Sequence, residues 1–346
     1  MVTTETVKHR FPYKWNLSDG YPEGNGLKVF GTFICGGGST MGYKLAGFDH
    51  IGGVEIDPKV ADVYKANHKP KHLYVEDIRE FVKRNEFPQE LYDLDILDGS
   101  PPCSSFSMAG NREKDWGKEK VFREGQALQT LDDLFFDYIA LAKKLQPKVV
   151  IAENVKGLIQ GNAKSYVRKI KAGFEDAGYK VQLFLLNAAS MGVPQKRERV
   201  FFICQRNDLQ FPKLFLKFDE KAIPFGEVRS EVGNFEAVTE RQAKLLELLK
   251  NEKTLEQIEK NNFGKGSGFT DNIVFDKDIA PTITSGGKQF RAFDKSWFSD
   301  YDYKVCGSYP LDYNFKTIKP KYLIGMSVPP VMTAQIAHEI YLQWFK

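Results

Sequence analysis

A cysteine that directly follows two prolines is the first candidate for chemistry in this sequence. Residues 95–98 have the composition of a short strand, and Gly99-Ser100-Pro101-Pro102 ends that pattern abruptly before Cys103. Proline fixes φ and supplies no amide donor, so Cys103 is expected on a stiff turn at the end of a strand. A thiol held there can act as a nucleophile, whereas an isolated cysteine is usually a small buried apolar residue. The rest of the chain must therefore supply the other reacting groups.

A glycine-rich turn near the N-terminus is the second candidate. Residues 27–34 are β-branched and aromatic and predict a strand, which leads into Cys35-Gly36-Gly37-Gly38 and a helix over 41–46. The next predicted strand contains Glu55. Glycines let the backbone approach a ligand closely, and a carboxylate at the end of the following strand can hold ribose hydroxyls. This pattern predicts a site for a nucleotide-containing cofactor.

Strands and helices alternate through residues 27–206, which predicts a doubly wound, mostly parallel α/β sheet of the Rossmann-like type. Because the carboxyl ends of parallel strands meet at one edge, Asp77, Cys103 and Glu153 are expected at the same edge as the glycine turn. Predicted helices cover 61–67, 128–145 and 166–177, and predicted strands cover 73–78, 95–97, 148–152, 181–186 and 200–204.

The alternation stops after Arg206. Residues 207–280 contain one long helical pattern, over 239–259, and are otherwise rich in turn residues, which predicts a second, smaller module. Pro330 is expected to open the last helix at its first position. We divide the chain into an N-terminal arm over 1–26, a catalytic, cofactor-binding domain over 27–206 plus 321–346, and a smaller domain over 207–320.

Composition excludes several classes of protein. The 346 residues are 42% hydrophobic, enough for one large or two modest domains. No apolar run approaches the roughly 18–20 residues of a membrane span, and no signal peptide is predicted. The net charge of +4 permits a nucleic-acid partner without requiring one. The four cysteines lack paired spacing, so neither a disulfide framework nor a metal site is predicted, and a reducing cytoplasmic compartment is the default.

These motifs, in this order, resemble those of the DNA cytosine-C5 methyltransferases, which use S-adenosylmethionine. Each match alone is weak, but together they run from about Phe33 to the C-terminus and form a specific signal. The matching segments are the glycine turn, Glu55, Asp77, Pro102-Cys103 with Phe106-Ser107, Glu153-Asn154-Val155, Gln195-Lys196-Arg197-Glu198-Arg199 and Gly325-Met326-Ser327-Val328-Pro329-Pro330.

The resemblance implies a reaction and a role for each motif. Cys103 would add to carbon 6 of a cytosine, which makes carbon 5 nucleophilic enough to take a methyl group. Glu153 would engage N3 and the exocyclic amine, and Arg199 would donate to O2. Asn154 would fix the turn that presents Glu153, and Arg197 would support the thiolate or a neighbouring loop. Because the target atoms lie inside the duplex, the base must be flipped out.

The resemblance also implies binding residues. Glu55 would bind the ribose, Asp77 the adenine amine, and Ser327 would close the pocket, with S-adenosylhomocysteine as product and no metal. Duplex DNA would lie between a polar loop over 104–125 and the smaller domain, which would read the major groove. The implied cofactor residues are Phe33, Gly37, Gly38, Glu55, Asp77, Pro102 and Ser327, and the DNA-contact candidates are Lys118, Arg123, Lys265 and Arg291.

Three features depart from the family pattern. Cys35 stands where the first glycine of the turn is expected, which places a side chain near the cofactor. Ser104 follows the catalytic cysteine where glutamine is common. The family's Arg-x-x-Thr-x-Arg-Glu segment is represented only by residues 280–285 and by a diverged echo over 306–313, which indicates either drift in a scaffold element or a remodelled DNA interface.

Alternative functions stay open at this point. The same family includes enzymes that act on tRNA, and the catalytic residues do not separate the two substrates, although the size of the 207–320 segment favours duplex DNA. A non-catalytic DNA-binding module is the second alternative, and the intact Cys103, Glu153 and Arg199 argue against it. A nicotinamide-dependent oxidoreductase would leave the Pro-Pro-Cys motif unexplained. A monomer is expected, and whether a restriction endonuclease accompanies it stays open.

Overall fold

The computed structural model of the protein describes residues 9–102, 133–160, 163–235, 238–268 and 271–346. Within these ranges the strands are β1 Lys28–Thr32, β2 Asp49–Glu55, β3 His72–Val75, β4 Ile96–Gly99, β5 Val149–Val155, β6 Tyr179–Asn187, β7 Glu198–Arg206, β8 Asn272–Val274 and β9 Gln289–Arg291. The helices are α1 Gly38–Leu45, α2 Pro58–His68, α3 Ile78–Lys83, α4 Gln89–Tyr92, α5 Leu134–Leu145, α6 Lys164–Asp176, α7 Glu240–Glu247, α8 Leu255–Phe263, α9 Asp300–Cys306, α10 Pro320–Met326 and α11 Pro330–Ile340.

The chain divides into two compact units, which we name the sheet unit and the companion unit. The segment 187–197 belongs to the companion unit because its side chains bond there: the Gln195 amide accepts from the N–H of Ile283 and donates to the carbonyl of Cys306, both at 3.0 Å. The sheet unit comprises Tyr21–Leu186, Glu198–Lys217 and Ile336–Lys346, and the companion unit comprises Met1–Gly20, Asn187–Arg197 and Phe218–Gln335.

The sheet unit is built on seven strands in the order β3-β2-β1-β4-β5-β7-β6. β1 pairs in parallel with β2 and β4, β2 with β3, and β4 with β5, whereas β7 runs antiparallel to β5. The doubly wound, mostly parallel sheet expected from the sequence is confirmed. The strand order reverses between β1 and β4, and sheets of this kind bind ligands at such a point, outside the carboxyl ends of the strands.

An aromatic core fixes the helices on this sheet. The ring of Phe135 in α5 meets Phe174 of α6 and Phe202 of β7 edge to face, with centroid distances of 6.2 and 5.6 Å. All three side chains are buried, and burying an aromatic side chain stabilises a fold by about 2–3 kcal/mol. The same core therefore holds in place β5 and β7, the strands that carry Glu153 and Arg199.

The companion unit contains the parallel pair β8–β9 and a separate apolar cluster. The single helix expected over 239–259 is wrong, because two helices, α7 and α8, form instead. The hydroxyl of Thr239 caps α7 and that of Thr254 caps α8, accepting from the N–H groups of Gln242 and Gln257 at 3.3 and 3.2 Å. Threonine is a favoured N-cap residue, so the second cap restarts the helix. Pro330 opens α11, as expected.

Candidate active site

The chain turns sharply after β1, at the carboxyl edge of the sheet. Phe33 and Cys35 have positive φ values of 54° and 48°, and Gly37 has φ 77°. A left-handed φ costs a non-glycine residue roughly 1–2 kcal/mol, so surrounding contacts must hold this turn in place. The N–H of Gly37 donates to the carbonyl of Ile34 at 2.8 Å, and Gly37 is the N-cap of α1. The predicted glycine turn thus leads directly into a helix N-terminus.

Glycine is required at position 37 because α2 packs against the turn. A Cβ there would lie 2.3 Å from Nε2 of His68, which itself lies 3.4 Å from the carbonyl oxygen of Gly36. Burial lowers the pKa of His68 to about 3, so the ring is neutral at physiological pH.

Glu55 links the end of β2 to this turn. Its Oε2 accepts from the N–H of Cys35, and its Oε1 accepts from the N–H of Asp57, both at 2.9 Å. Glu55 therefore holds the backbone of the turn with both carboxylate oxygens.

Asp77 follows β3 and caps α3. Its Oδ1 accepts from the N–H of Arg79 at 2.9 Å, and the Arg79 guanidinium reaches both carboxylate oxygens, at 3.0 and 2.6 Å. Burial raises the pKa of Asp77, but the hydrogen bonds and charge of Arg79 outweigh burial and leave the pKa below its usual value. Asp77 is thus a carboxylate, and therefore a hydrogen-bond acceptor, at neutral pH.

Two exposed β-branched side chains at these strand ends were missed by the sequence reasoning. Ile56 directly follows Glu55 and is 37% exposed, and Val75 ends β3 and is 47% exposed. Both offer apolar surface at the edge of the sheet where the carboxylates lie. The signal was an apolar residue on the exposed side of a strand end next to an acidic one.

Asp98 was also missed. It lies in β4 opposite Gly31 of β1, where the strand order reverses, and is only 8% exposed. The hydroxyl of Tyr43 in α1 donates to its Oδ1 at 2.9 Å. Burial raises the pKa of Asp98 to about 7; the Tyr43 hydrogen bond opposes this shift, the charge of Glu153 adds to it, and a hydrogen bond from Ser39 opposes it. The signal was an acidic residue inside the apolar strand that leads to the prolines.

Asn154 connects the end of β5 to the proline segment. Its side-chain Nδ2 donates to the carbonyl oxygen of Pro101 at 3.1 Å, and its Oδ1 accepts from the N–H of Val155 at 2.9 Å. The amide is buried, so both groups need these partners. The start of the cysteine segment is thereby fixed relative to β5.

Glu153 and Arg199 form an ion pair on neighbouring strands. The guanidinium Nε lies 2.9 Å from Oε1 of Glu153, and the two side chains are 13% and 12% exposed. Arg199 lies opposite Val155 in the antiparallel pair, so the beginning of β7 meets the end of β5 at the carboxyl edge. Burial lowers the pKa of Arg199 and Glu153 partly restores it; an arginine remains charged at physiological pH.

Cys103, Lys118 and Arg123 lie outside the described residues, and Pro102 is the last described residue before them. Cys204 and Cys306 are buried, and burial raises the pKa of both thiols well above the usual value. Neither of these two is suited to act as a nucleophile, since the thiolate is the reactive form.

Arg197 and Ser327 belong to the companion unit. The Arg197 guanidinium is buried and donates to the carbonyl oxygens of Ile283 and Gly325 at 2.8 and 3.2 Å. The hydroxyl of Ser327 accepts from the hydroxyl of Tyr309 at 2.6 Å and donates to a backbone carbonyl of α10 at 2.9 Å. Arg197 therefore ties the segments around 283 and 325 together inside its own unit.

The prediction that Arg291 contacts DNA is wrong. Its side chain is 0% exposed and is paired with Asp294 at 3.0 Å and Asp302 at 3.4 Å, with a further hydrogen bond to Ser230. A buried guanidinium held by two carboxylates is a structural ion cluster and cannot reach a nucleic acid. The other candidate in this unit, Lys265, is exposed just beyond the end of α8.

The sheet unit thus brings five of the predicted motifs to one edge: the glycine turn, Glu55, Asp77, the Pro101-Pro102 segment with Asn154, and the Glu153–Arg199 pair. In the part of the chain that the structure describes, no cluster of His, Cys, Asp or Glu could hold a metal ion. Across the same described ranges, no helix has the length and apolarity to cross a membrane.

Comparison with known families gives one match over most of the chain. The model of the C-5 cytosine-specific DNA methylases matches residues 27–342.

Individual relatives agree with this match. The type II methyltransferase M.NgoPII of Neisseria gonorrhoeae is 38% identical over 197 residues, which are 55% of this chain and 52% of that protein. The type II methyltransferase M1.HphI of Haemophilus parahaemolyticus is 26% identical over 339 residues, covering 91% and 86% of the two chains. The match to the first of these relatives spans about half of that relative's length.

A solved structure shares the fold. The crystal structure of a DNMT2 variant from Spodoptera frugiperda aligns with a TM-score of 0.64 at 17% identity, over 91% of this chain and 99% of that one.

Proposed function

The chain belongs to the C-5 cytosine-specific DNA methylase family, and on that premise we propose that it transfers a methyl group from S-adenosylmethionine to carbon 5 of a cytosine flipped out of a specific duplex DNA sequence. The reaction would pass through a covalent bond between Cys103 and carbon 6. The observation that carries the proposal is the Glu153–Arg199 ion pair, at the same sheet edge as the Pro101–Asn154 hydrogen bond.

The described residues fit S-adenosylmethionine. Glu55 lies at the end of β2 beside the turn and would accept from ribose hydroxyls, Asp77 is a carboxylate suited to an amine donor, and Ile56 and Val75 offer apolar surface at the same edge. The turn over Phe33 to Gly38 would approach the cofactor with its backbone. Pro102 and Ser327 are further proposed contacts. When bound, the cofactor supplies the electrophilic methyl group.

The protein would activate the base as follows. The Cys103 thiolate forms a bond to carbon 6, and the electrons of the C5–C6 double bond make carbon 5 nucleophilic while negative charge grows towards N3 and O2. Arg199 would donate to O2, and Glu153, sharing a proton with the base, would bond N3 and the exocyclic amine. After methylation, loss of the C5 proton to a base would expel the cysteine.

Asn154 and Arg197 would act at a distance from the base. The Asn154–Pro101 hydrogen bond would position the cysteine segment, and Arg197 would stiffen the companion unit through its two backbone carbonyls. Neither is expected to exchange a proton with the substrate.

Duplex DNA would be contacted by both parts of the chain. We propose that the predicted smaller domain, 207–320, recognises the target sequence, with Lys265 as a phosphate or base contact. Lys118 and Arg123 would contribute from the segment after Cys103. The relatives are named as type II methyltransferases, so pairing with a restriction endonuclease is part of the proposal, as is a monomeric protein.

Methyl transfer from labelled S-adenosylmethionine to duplex DNA tests the proposal. The wild type should produce 5-methylcytosine at one sequence, and Cys103→Ala should abolish transfer. Cys306→Ala is the matched control, since that thiol is buried in the companion unit and should leave the chemistry intact. Methyl transfer to tRNA and not to DNA would show that the proposed substrate is wrong and that the proposed reaction is right. Cofactor and DNA binding with no transfer to either would favour a binding module.

A further inference from the structure

Asp98 is a buried acid that the proposed reaction does not use. It lies in β4 opposite Gly31 of β1, which is the point of strand-order reversal where a doubly wound sheet binds its ligand. β4 is also the strand that leads into Pro101, Pro102 and Cys103. Asp98 therefore lies between the turn proposed to bind the cofactor and the segment proposed to carry the nucleophile.

Hydrogen bonds join Asp98 to both β1 and α1. The Tyr43 hydroxyl donates to Oδ1 at 2.9 Å, and Ser39, at the start of α1, bonds the same carboxyl group. The backbone carbonyl of Asp98 accepts from the hydroxyl of Thr32 at 3.3 Å. These contacts tie the helix that follows the glycine turn to the strand that precedes the cysteine.

In the described part of the chain, three buried phenols lie around Asp98. Tyr43 comes from α1, Tyr64 from α2 and Tyr138 from α5, and burial raises the pKa of all three phenols. These phenols stay neutral at physiological pH. From β5, Glu153 adds negative charge and is paired with Arg199.

We propose that Asp98 is a positioning residue whose carboxylate form holds α1 against β4 and attracts the cationic cofactor, so that S-adenosylmethionine binds more tightly once Asp98 has lost its proton. The inference rests on the proposed use of that cofactor. A charged carboxylate accepts stronger hydrogen bonds from Tyr43 and Ser39 than a neutral acid does. The carboxylate also favours the sulfonium charge, which S-adenosylhomocysteine lacks.

The size of the effect follows from charge interaction. We expect a change of about tenfold in the binding constant, which corresponds to an interaction of one pKa unit between the two charges. Burial raises the pKa of Asp98 to about 7, so the change in cofactor affinity should occur between about pH 6 and pH 8. By linkage, cofactor binding near pH 7 should release a fraction of a proton.

Calorimetric binding of S-adenosylmethionine across this pH range tests the inference. The wild-type affinity should rise about tenfold relative to Asp98→Asn, and comparing the two proteins cancels the titration of the ligand itself. The difference in affinity between the two proteins should be smaller for S-adenosylhomocysteine. Tyr43→Phe removes a hydrogen bond that favours the charged form, so its transition should move to higher pH.

The outcomes separate the inference from the proposed function. If the affinity of the wild type and of Asp98→Asn for S-adenosylmethionine changed equally with pH, the inference would be wrong and the cofactor proposal would stand. The same holds if the pH at which the affinity changes were the same in Tyr43→Phe as in the wild type. Binding of neither ligand to any folded variant would overturn the cofactor proposal, and the inference with it. Tyr43→Phe keeps the test decisive if Asp98→Asn does not fold, and circular dichroism reports folding.

Discussion

The side-chain amide of Asn154 donates to the carbonyl oxygen of Pro101 at 3.1 Å, in the buried space between the ends of β5 and β4. Pro101 is buried beyond the end of β4, so its carbonyl oxygen needs a partner, and a side chain from the neighbouring strand supplies one. The bond fixes the start of the segment that leads to Cys103 relative to Glu153, the residue before Asn154.

Asn154→Ala should lower kcat more than it weakens cofactor binding. Loss of this hydrogen bond leaves a buried carbonyl unsatisfied at about 1–3 kcal/mol and loosens the cysteine segment, and misplaced reacting groups cost roughly 10–100-fold in rate. Steady-state methyl transfer and calorimetric cofactor binding would be measured side by side. Gln146→Ala, at the end of α5 away from this edge, is the control. A parallel loss of both quantities would indicate general unfolding instead.

The Glu153–Arg199 pair should show strong coupling in a double-mutant cycle. Glu153→Gln and Arg199→Met each leave a mostly buried partner without its counter-charge. Breaking a fully buried pair costs about 3–5 kcal/mol, and partial exposure here should reduce that to about 2–3 kcal/mol. The double variant should lose less than the sum of the single losses. Urea unfolding of the four proteins measures this, and additive losses would show that the 2.9 Å contact contributes little.

Cys35→Gly should stabilise the protein slightly. Cys35 has φ 48°, a conformation that costs an L-residue about 1–2 kcal/mol, while glycine loses about 0.5–1 kcal/mol through unfolded-chain entropy. The expected net gain in the free energy of unfolding is about 0.5–1 kcal/mol. Cys35→Ala keeps the strain and removes only the thiol, so it should show no gain. Equal effects of both substitutions would assign the result to the thiol.

Substitution of Arg291 should lower stability, whereas substitution of Lys265 should weaken DNA binding. Arg291→Met strips the counter-charge from Asp294 and Asp302, so it should lower the free energy of unfolding by about 3–5 kcal/mol. Lys265→Ala should leave stability unchanged, weaken DNA binding across sequences and reduce the salt dependence of binding by about one phosphate contact. Thermal unfolding and DNA binding at several salt concentrations measure both. A DNA-binding defect in a fully stable Arg291→Met protein would contradict the ion-cluster assignment.

Asp98 should make the folded state lose stability as pH rises towards neutrality. Its pKa is about 7 in the folded protein and about 3.9 in the unfolded chain, so the folded state binds the proton more tightly. The stabilisation is complete below about pH 4 and is lost as pH rises to about 7. The free energy of unfolding of the wild type should fall, relative to Asp98→Asn, by up to about 1.4 kcal/mol per pH unit in this window. Parallel urea-unfolding profiles of the two proteins would contradict the assignment.

The sequence determined the sheet and the edge of the site. Short apolar runs such as residues 149–152 indicate buried strands, and the glycine turn and Glu55 each follow such a run, whereas Asp77 follows the less buried edge strand β3. Parallel strands align their carboxyl ends, so strand assignment alone brought these residues to one edge. Helix limits were less certain, because the pattern over 239–259 does not show where a capping threonine restarts a helix.

Only the tertiary structure decided which charged side chains stay exposed and which are buried against other side chains. Arg291 and Lys265 look alike in the sequence, but two aspartates bury the first while the second remains exposed. Asp98 looked like one polar residue in a strand until β1, α1 and β5 enclosed it and burial changed its ionisation. Desolvation and charge pairing depend on neighbours distant in sequence, so residue type and spacing cannot supply them.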